Sequence, residues 1–160
     1  MAVLWDVATG TYQLDAIKAA AASRSVQLSV HEFSGHDGLR RALDNSLKSR
    51  PDAILQLGSP LVNQAAKVIA DALAAQRVPG ISPFRAFADT GGLLSYGVNL
   101  PVMYRSLATF IDKILRGAKP GELAIEQPTH FELVINRQTA KALGLTIPRS
   151  LLVRADEVIR

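Results

Sequence analysis

Short apolar runs and longer amphipathic segments alternate along the first two thirds of the chain. Five of the apolar runs are too short for independent helices and are bounded by turn residues, which predicts strands at residues 2–5, 26–30, 53–57, 78–81 and 93–96. Between them, apolar residues three or four positions apart predict helices over 11–23, from residue 34 or 36 to just before Pro51, over 60–76, and briefly up to Asp89. Five strands separated by helices indicate a parallel sheet.

The stretch from Pro51 to Ile81 is the clearest β-α-β unit. Its strand ends at Gly58, Ser59 fits the N-cap of the next helix, and Pro60 fits the first helical position because no main-chain N–H is needed there. Right-handed crossovers then favour a doubly wound α/β fold with a parallel five-stranded sheet in the order 2-1-3-4-5. Ligands of such sheets bind in the crevice at the carboxyl ends of the strands.

The last third of the chain departs from this pattern. Asn99 is expected to cap a helix over 100–116 with a broad apolar face, followed by a strand over 131–135, a helix over 138–143 and a last turn around Leu151. We divide the chain into an α/β lobe, residues 1–98, and a crossover helix, returning strand and C-terminal helices, residues 99–160, that complete the domain. A helix as apolar as 100–116 needs a partner surface.

The composition is that of an ordinary globular domain. The chain has 160 residues, of which 48% are hydrophobic and 20% charged, and no apolar stretch approaches the roughly 18 residues of a membrane span. Cysteine is absent, which excludes disulfides and cysteine metal sites. The net charge of +4 permits anionic partners, but lysine and arginine are scattered without interleaved aromatics, so nucleic acid is not an expected partner. Met1 leads directly into the first predicted strand, so no signal peptide is expected.

Several ordered blocks of the sequence resemble one known family. They are residues 97–120, 126–128, 131–136 and 139–148, with the ending 151–159 and the opening Val3-Leu-Trp-Asp. These blocks are similar to the C-terminal half of the substrate-binding proteins of ABC transporters of the tryptophan/tyrosine-uptake type. The resemblance implies one lobe of a type I periplasmic-binding-protein fold, in which two α/β lobes close on a small ligand and dock with an ABC permease.

The export signal and N-terminal lobe of that family would precede the segment that matches Ala2. The resemblance therefore implies a periplasmic or extracytoplasmic protein, whereas a cytoplasmic one is expected if Met1 is the native start. In that fold the 100–116 helix would belong to the N-terminal lobe, which is not matched here. We therefore expect a second copy of the chain to cover its apolar face, in a homodimer through Leu100 to Arg116.

The ligand-binding candidates are the residues that follow the predicted strands. They are Trp5 and Asp6 after the first strand, Ser59, Pro60 and Asn63 after the third, Ser82, Phe84 and Arg85 after the fourth, and Tyr96 and Asn99 at the crossover. Aromatic rings could sandwich an apolar ligand group, the helix that starts at Pro60 could offer N–H groups to a carboxylate, and Arg85 could bind an anion. The structural alternatives are a plain cap for Ser59, core positions for Trp5 and Phe84, and a surface charge for Arg85.

The sequence is compatible with two classes of ligand. Family members that bind amino acids often carry an acidic residue after the fourth strand. Pro83-Phe84-Arg85 stands at that place here, which makes a small carboxylate or other anion an alternative to an aromatic amino acid.

An enzyme is the rival class of function. His31, His36 and His130 lie far apart on different predicted elements, and nucleophile-elbow, Walker and dinucleotide motifs are absent. We therefore expect no catalytic residue, no metal and no cofactor. A second alternative is a free-standing dimerising module, structural or regulatory, without ligand binding.

Overall fold

The computed structural model describes residues 1–125, 127–128 and 130–160. Glu126, which belongs to one block of the resemblance, and Thr129 lie outside the described residues. The strands of the described part are β1 (Ala2–Asp6), β2 (Ser29–Phe33), β3 (Ile54–Gln56), β4 (Gly80–Ser82), β5 (Leu94–Val98), β6 (Phe131–Asn136) and β7 (Glu157–Ile159). Its α-helices are α1 (Tyr12–Ala22), α2 (Gly35–Lys48), α3 (Pro60–Gln64), α4 (Ala66–Ala75), α5 (Arg85–Asp89), α6 (Leu100–Leu115), α7 (Arg137–Ala142) and α8 (Arg149–Arg154).

All these strands form one sheet in the order β2-β1-β3-β4-β5-β6-β7. β1 to β5 are parallel, which confirms the predicted α/β class and the order 2-1-3-4-5 within the sheet. The predicted count of five strands is wrong, because β6 pairs antiparallel with β5 and β7 pairs parallel with β6. β7 has three residues, too few to show a strand pattern in the sequence.

Helices cover both faces of the sheet. On one face, Leu14 of α1 joins Val3 and Leu57 in a small buried cluster. On the other face, α2 to α5 contribute buried apolar side chains to a larger cluster with β1 and β3, among them Leu39, Leu43, Val62, Ile69 and Phe87. Each such side chain stabilises the fold by about 1.5–3 kcal/mol relative to an exposed position. The sheet is therefore covered on each face by its own apolar cluster.

β2 begins three residues later than the apolar pattern predicts. The N–H of Val26 donates to the carbonyl of Ala21 at 3.0 Å and closes the end of α1, so Val26 is not part of the strand. β2 lies at the edge of the sheet, where Ser29, Val30 and Glu32 are exposed. An edge strand with exposed side chains has no need of an apolar sequence.

The helix predicted over 60–76 is divided into α3 and α4 at Ala65. Val62, Ala66 and Ile69 nevertheless all join the same buried cluster. Because the break leaves the apolar spacing intact, periodicity alone predicts a single helix.

α6 leaves its apolar face uncovered. Asn99 caps this helix as predicted, but none of its residues, all of which the structure describes, is buried. Val102, Leu107, Ile111 and Ile114 are between 38% and 58% exposed. Among the described residues, no helix is both long enough and apolar enough to cross a membrane.

Candidate functional site

The carboxyl ends of β1, β3, β4 and β5 meet along one side of the sheet, which we call the crevice edge. It is formed by residues 6–10, 57–60, 82–85 and 96–99. Because the four strands are parallel, the ten predicted ligand-binding residues lie at this edge or directly next to it. Pro60 is exposed there and Asn63 is half-buried.

The loop after β1 is held in shape by its own side chains. The indole N–H of Trp5 donates to the carbonyl of Gly10 at 3.0 Å, and Asp6 Oδ1 accepts the N–H of Ala8 at 3.1 Å. Thr9 Oγ1 donates to the carbonyl of Asp6 at 2.8 Å. The Asp6 side chain is buried, and Trp5 packs beside the cluster under α1. These contacts fix the shape of the loop over residues 7–10 at the crevice edge.

The loop after β3 is tied to α1 by a side chain that the sequence did not single out. Gln13 Nε2 donates to the carbonyl of Gly58 at 3.0 Å, and Gln13 Oε1 accepts the N–H of Gly58 at 2.8 Å. Ser59 Oγ accepts the N–H of Val62 at 3.2 Å, so Ser59 is a capping residue in this structure. Pro60 occupies the first helical position, as predicted. The two bonds from Gln13 fix the loop relative to the start of α1.

The loop after β4 lies against the end of β5. A Cβ atom on Gly97 would lie 2.0 Å from the carbonyl oxygen of Pro83, so only glycine allows this approach of two main chains. Ser82 Oγ accepts the N–H of Phe84 at 3.3 Å, and the Phe84 ring packs against the larger buried cluster. Phe84 is therefore largely a core residue.

Arg85, the first residue of α5, is surrounded by three carboxylates. Its Nε lies 3.2 Å from Asp89 Oδ2, and its terminal nitrogens lie 2.7 Å from Glu157 Oε2 and 3.7 Å from Glu132 Oε2. The hydrogen bond to Glu157, with the charge of Asp89 as a smaller contribution, raises the pKa of Arg85 above its ordinary value against the opposing effect of burial. Its guanidinium is already neutralised by residues of this chain, which argues against the predicted role as a free anion receptor.

The crossover from β5 to α6 joins the same network. Asn99 Oδ1 accepts the N–H of Val102 at 3.0 Å, and Asn99 Nδ2 donates to Glu132 Oε2 at 2.9 Å. Next to it, the rings of Tyr96 and Phe131 lie 6.1 Å apart and are 58% and 52% exposed. This ring pair is an exposed aromatic surface at the crevice edge, although most aromatic side chains of that size pack inside proteins.

A row of buried polar side chains crosses the sheet just below the crevice edge. Ser82 and Ser95 are neighbours in register, and continuing the β3–β4 register by one residue places Gln56 beside Ser82. All three are about 1% exposed. Among the described residues, the Gln56 amide and Ser95 Oγ have no hydrogen-bond partner. Such groups cost free energy unless a partner satisfies them.

Two cavities open near this edge. One of about 530 Å³ lies at the ends of β1 and β2 and has both Glu32 and Arg41 in its wall. The other, about 320 Å³, lies between α6 and the residues Gln127, Pro128 and His130. Its α6 side is lined by Met103, Leu107 and Phe110. In the part of the chain that the structure describes, no group of three or more histidine or carboxylate side chains is arranged to hold a metal ion.

Comparison with known proteins decides the family. Residues 11–159 match the family described as ABC transporter substrate binding protein. The chain belongs to this family. The family resemblance predicted from the sequence blocks is thereby confirmed. The search of curated proteins gives no match.

Solved structures agree with this assignment. A conserved domain protein from Vibrio cholerae O1 biovar El Tor superposes with a TM-score of 0.89 at 23% identity, covering 98% of this chain and 53% of that one. An ABC domain from Streptococcus pneumonia in complex with L-Trp has a TM-score of 0.89 at 22% identity, covering 99% of this chain and 54% of that one. A ligand-free, open substrate binding protein with adhesive properties from Clostridium difficile has a TM-score of 0.67 at 18% identity, covering 99% and 53%. At these identities the likeness shows the fold.

The chain thus spans about half the length of these solved relatives. Its residues at the crevice edge form two connected groups, one around Gly58 and Pro83 and one around Arg85. Sequence reasoning missed Gln13, Glu132 and Glu157 as parts of these groups. Glu132 carried a signal, since it is a charged residue inside an otherwise apolar strand, whereas nothing local marks the other two.

Proposed function

We propose that this chain is the solute-binding lobe of an ABC importer and that it binds a small carboxylate with an aromatic or other apolar body at the crevice edge. Membership of the substrate-binding family carries this proposal. In this role the ligand lies between this lobe and a second one, and is then passed to a membrane permease outside the cytoplasm. The protein has no catalytic step in this proposal.

The geometry of the edge supports an apolar ligand body. Tyr96 and Phe131 present two exposed rings where β5 and β6 leave the lobe. The relative from Streptococcus pneumonia carries L-Trp, which supports an aromatic ligand by analogy. Because Arg85 is already paired, we expect a ligand carboxylate to be bound at the start of α3 instead, where Pro60 occupies the first helical position.

The test is an NMR titration of the ¹⁵N-labelled chain with L-tryptophan, L-tyrosine, indole-3-acetate and tryptamine. We expect the aromatic carboxylates to shift the amide resonances of Gly10, Gly58 and Tyr96 in a saturable way, while tryptamine, which lacks a carboxylate, binds more weakly. A single lobe encloses only one side of a ligand, so binding is expected in the millimolar range. Saturation at these amides by none of the four compounds would refute the proposal.

Two matched tyrosine variants test whether the ligand binds at the crevice edge or at another apolar surface. Tyr96→Ala is expected to weaken binding several-fold, because it removes one ring of the exposed pair. Tyr104→Ala is the control, since Tyr104 lies on α6 and is similarly exposed, at 62%. Equal losses of affinity in the two variants would mean that the ligand does not bind at the crevice edge.

A second candidate function is favoured by the uncovered face of α6. A protein surface with this many exposed apolar side chains usually contacts another protein surface. In this candidate the chain associates with a second copy through α6 and acts as a dimeric module. Dimerisation together with indifference to all four titrated compounds is the result that would favour it over solute binding.

A further inference from the structure

The opposite edge of the sheet carries a cavity that the solute-binding role does not use. β6 runs antiparallel to β5, so α7, which follows β6, and the end of β7 lie away from the crevice edge. The cavity there has a volume of about 530 Å³. Ligand pockets for small molecules are typically about 300–1,000 Å³.

Three basic side chains surround this cavity. Arg137 and Lys141 come from α7, and Arg160 follows β7. Among the described residues, none of the three forms an ion pair, and no carboxylate side chain is in the wall. The equally large cavity at the end of β2 differs in this respect, because Glu32 there balances Arg41. In the 160-residue chain the terminal carboxylate of Arg160 offsets one of these three positive charges. The remaining excess of positive charge makes the α7 cavity a site for an anion.

The rest of the wall is apolar. Leu145, Ile147 and Leu152 line it, and Leu145 is 42% exposed. Gln138 Nε2 donates to the main-chain oxygen of Arg160 at 2.5 Å, which holds the end of β7 against α7 and closes one side. No aromatic side chain belongs to the described wall, so it offers no stacking surface for nucleic acid bases.

We propose that this cavity is a second binding site, specific for an amphiphilic organic anion. Its apolar body lies on Leu145, Ile147 and Leu152, and its carboxylate, sulfate or phosphate group is bound by Arg137, Lys141 and Arg160. Apolar contact supplies affinity and the charged rim supplies orientation and specificity. This inference is independent of the crevice edge and of the ligand bound there.

The test uses the 160-residue chain, ¹⁵N-labelled, with octanoate and with octan-1-ol as the uncharged counterpart. We expect octanoate to shift the amides of residues 141–152 in a saturable way and to bind at least about tenfold more tightly than octan-1-ol. Equal binding of the two compounds would overturn the proposal, as would shifts confined to α6 or to the crevice edge.

Charge-reversal variants locate the anion. Lys141→Glu and Arg137→Glu are each expected to weaken octanoate binding about tenfold or more, whereas Lys18→Glu, an exposed lysine on α1, is the matched control and should change nothing. Circular dichroism confirms that the variants fold. Unchanged octanoate binding in both charge-reversal variants would contradict the proposal that Arg137 and Lys141 bind the anionic group.

A sedimentation experiment with lipid vesicles tests whether the cavity binds a free anion or a lipid headgroup. Vesicles of phosphatidylglycerol and vesicles of phosphatidylcholine are sedimented with the chain. We expect the chain to stay in the supernatant with both while it binds octanoate, since the site is a cavity for one small molecule. Sedimentation with phosphatidylglycerol without octanoate binding would replace the proposed small-molecule site with a membrane-surface one.

Discussion

At the residue scale, Gly97 shows how closely the loops of the crevice edge fit together. A Cβ atom there would lie 2.0 Å from the carbonyl oxygen and 2.9 Å from the carbonyl carbon of Pro83. Both neighbours are main-chain atoms, so no side-chain rotation can relieve the contact. Gly97 thus sets the distance between the β4 loop and the point where the chain leaves for α6.

Gly97→Ala is expected to lower the free energy of unfolding by about 2 kcal/mol or more, because the main chain of β5 or of the β4 loop must move. Urea unfolding followed by circular dichroism measures this change. Gly121→Ala is the control, since a Cβ at Gly121 has no atom within 4 Å. An unchanged urea midpoint for Gly97→Ala would show that the two loops are not in this contact.

At the scale of elements, Arg85 connects α5 to the two strands that extend the predicted sheet. It reaches Glu132 on β6 and Glu157 on β7, and Glu132 also accepts a hydrogen bond from Asn99 at the start of α6. Glu132 is the more buried partner, with 14% of its side chain exposed. Removing the partner of a carboxylate at such a position costs more free energy than breaking a surface ion pair does.

Arg85→Ala is expected to lower the free energy of unfolding by about 1–2 kcal/mol, and Arg85→Lys to restore only part of the loss, because one ammonium cannot replace a guanidinium fork between three carboxylates. Chemical unfolding at low and at high salt measures the effect, which should shrink as salt screens the exposed pairs.

Arg149→Ala is the matched control, an exposed arginine of α8 that forms no ion pair among the described residues. Equal stability of the Arg85→Ala and Arg149→Ala variants would mean that the network does not hold β6 and β7 in place.

At the scale of the whole molecule, α6 stands out because its apolar face is not buried by the rest of the described chain. The helix has a broad apolar stripe, and none of its residues, described throughout, is buried. The chain also spans only about half the length of its solved relatives. Two protein surfaces are consistent with these facts as the cover of this face. One is another part of a two-lobed binding protein, and the other is a second copy of this chain.

For the 160-residue chain by itself, we expect a dimer in light scattering that persists over a dilution series, because the apolar side chains of the α6 stripe stay about half-exposed within the described chain. Leu107→Glu places a charge in the centre of the stripe and should give a monomer. Val153→Glu, at an exposed apolar residue of α8, is the control and should leave the mass unchanged. A well-behaved monomer of the unmodified chain would count against the dimeric module.

Local signals in the sequence determined most of the elements. The helix predicted over 11–23 is Tyr12–Ala22, and the one predicted over 100–116 is Leu100–Leu115. Ser59, Pro60 and Asn99 mark helix starts in the structure as they do in the sequence. Apolar spacing, capping residues and prolines act within a few residues of the chain, so one sequence is enough to interpret them. The parallel order of β1 to β5 then follows from the alternation of strands and helices.

Only the tertiary structure decided how distant segments meet. The bonds between Gln13 and Gly58 join residues 45 positions apart, and the carboxylates around Arg85 come from α5, β6 and β7. It turned Arg85 from an expected anion receptor into a paired residue, and it placed Arg137 and Lys141 at one cavity away from the crevice edge. Such pairings depend on register and on packing across the sheet, and no local pattern of apolar and polar residues contains that information.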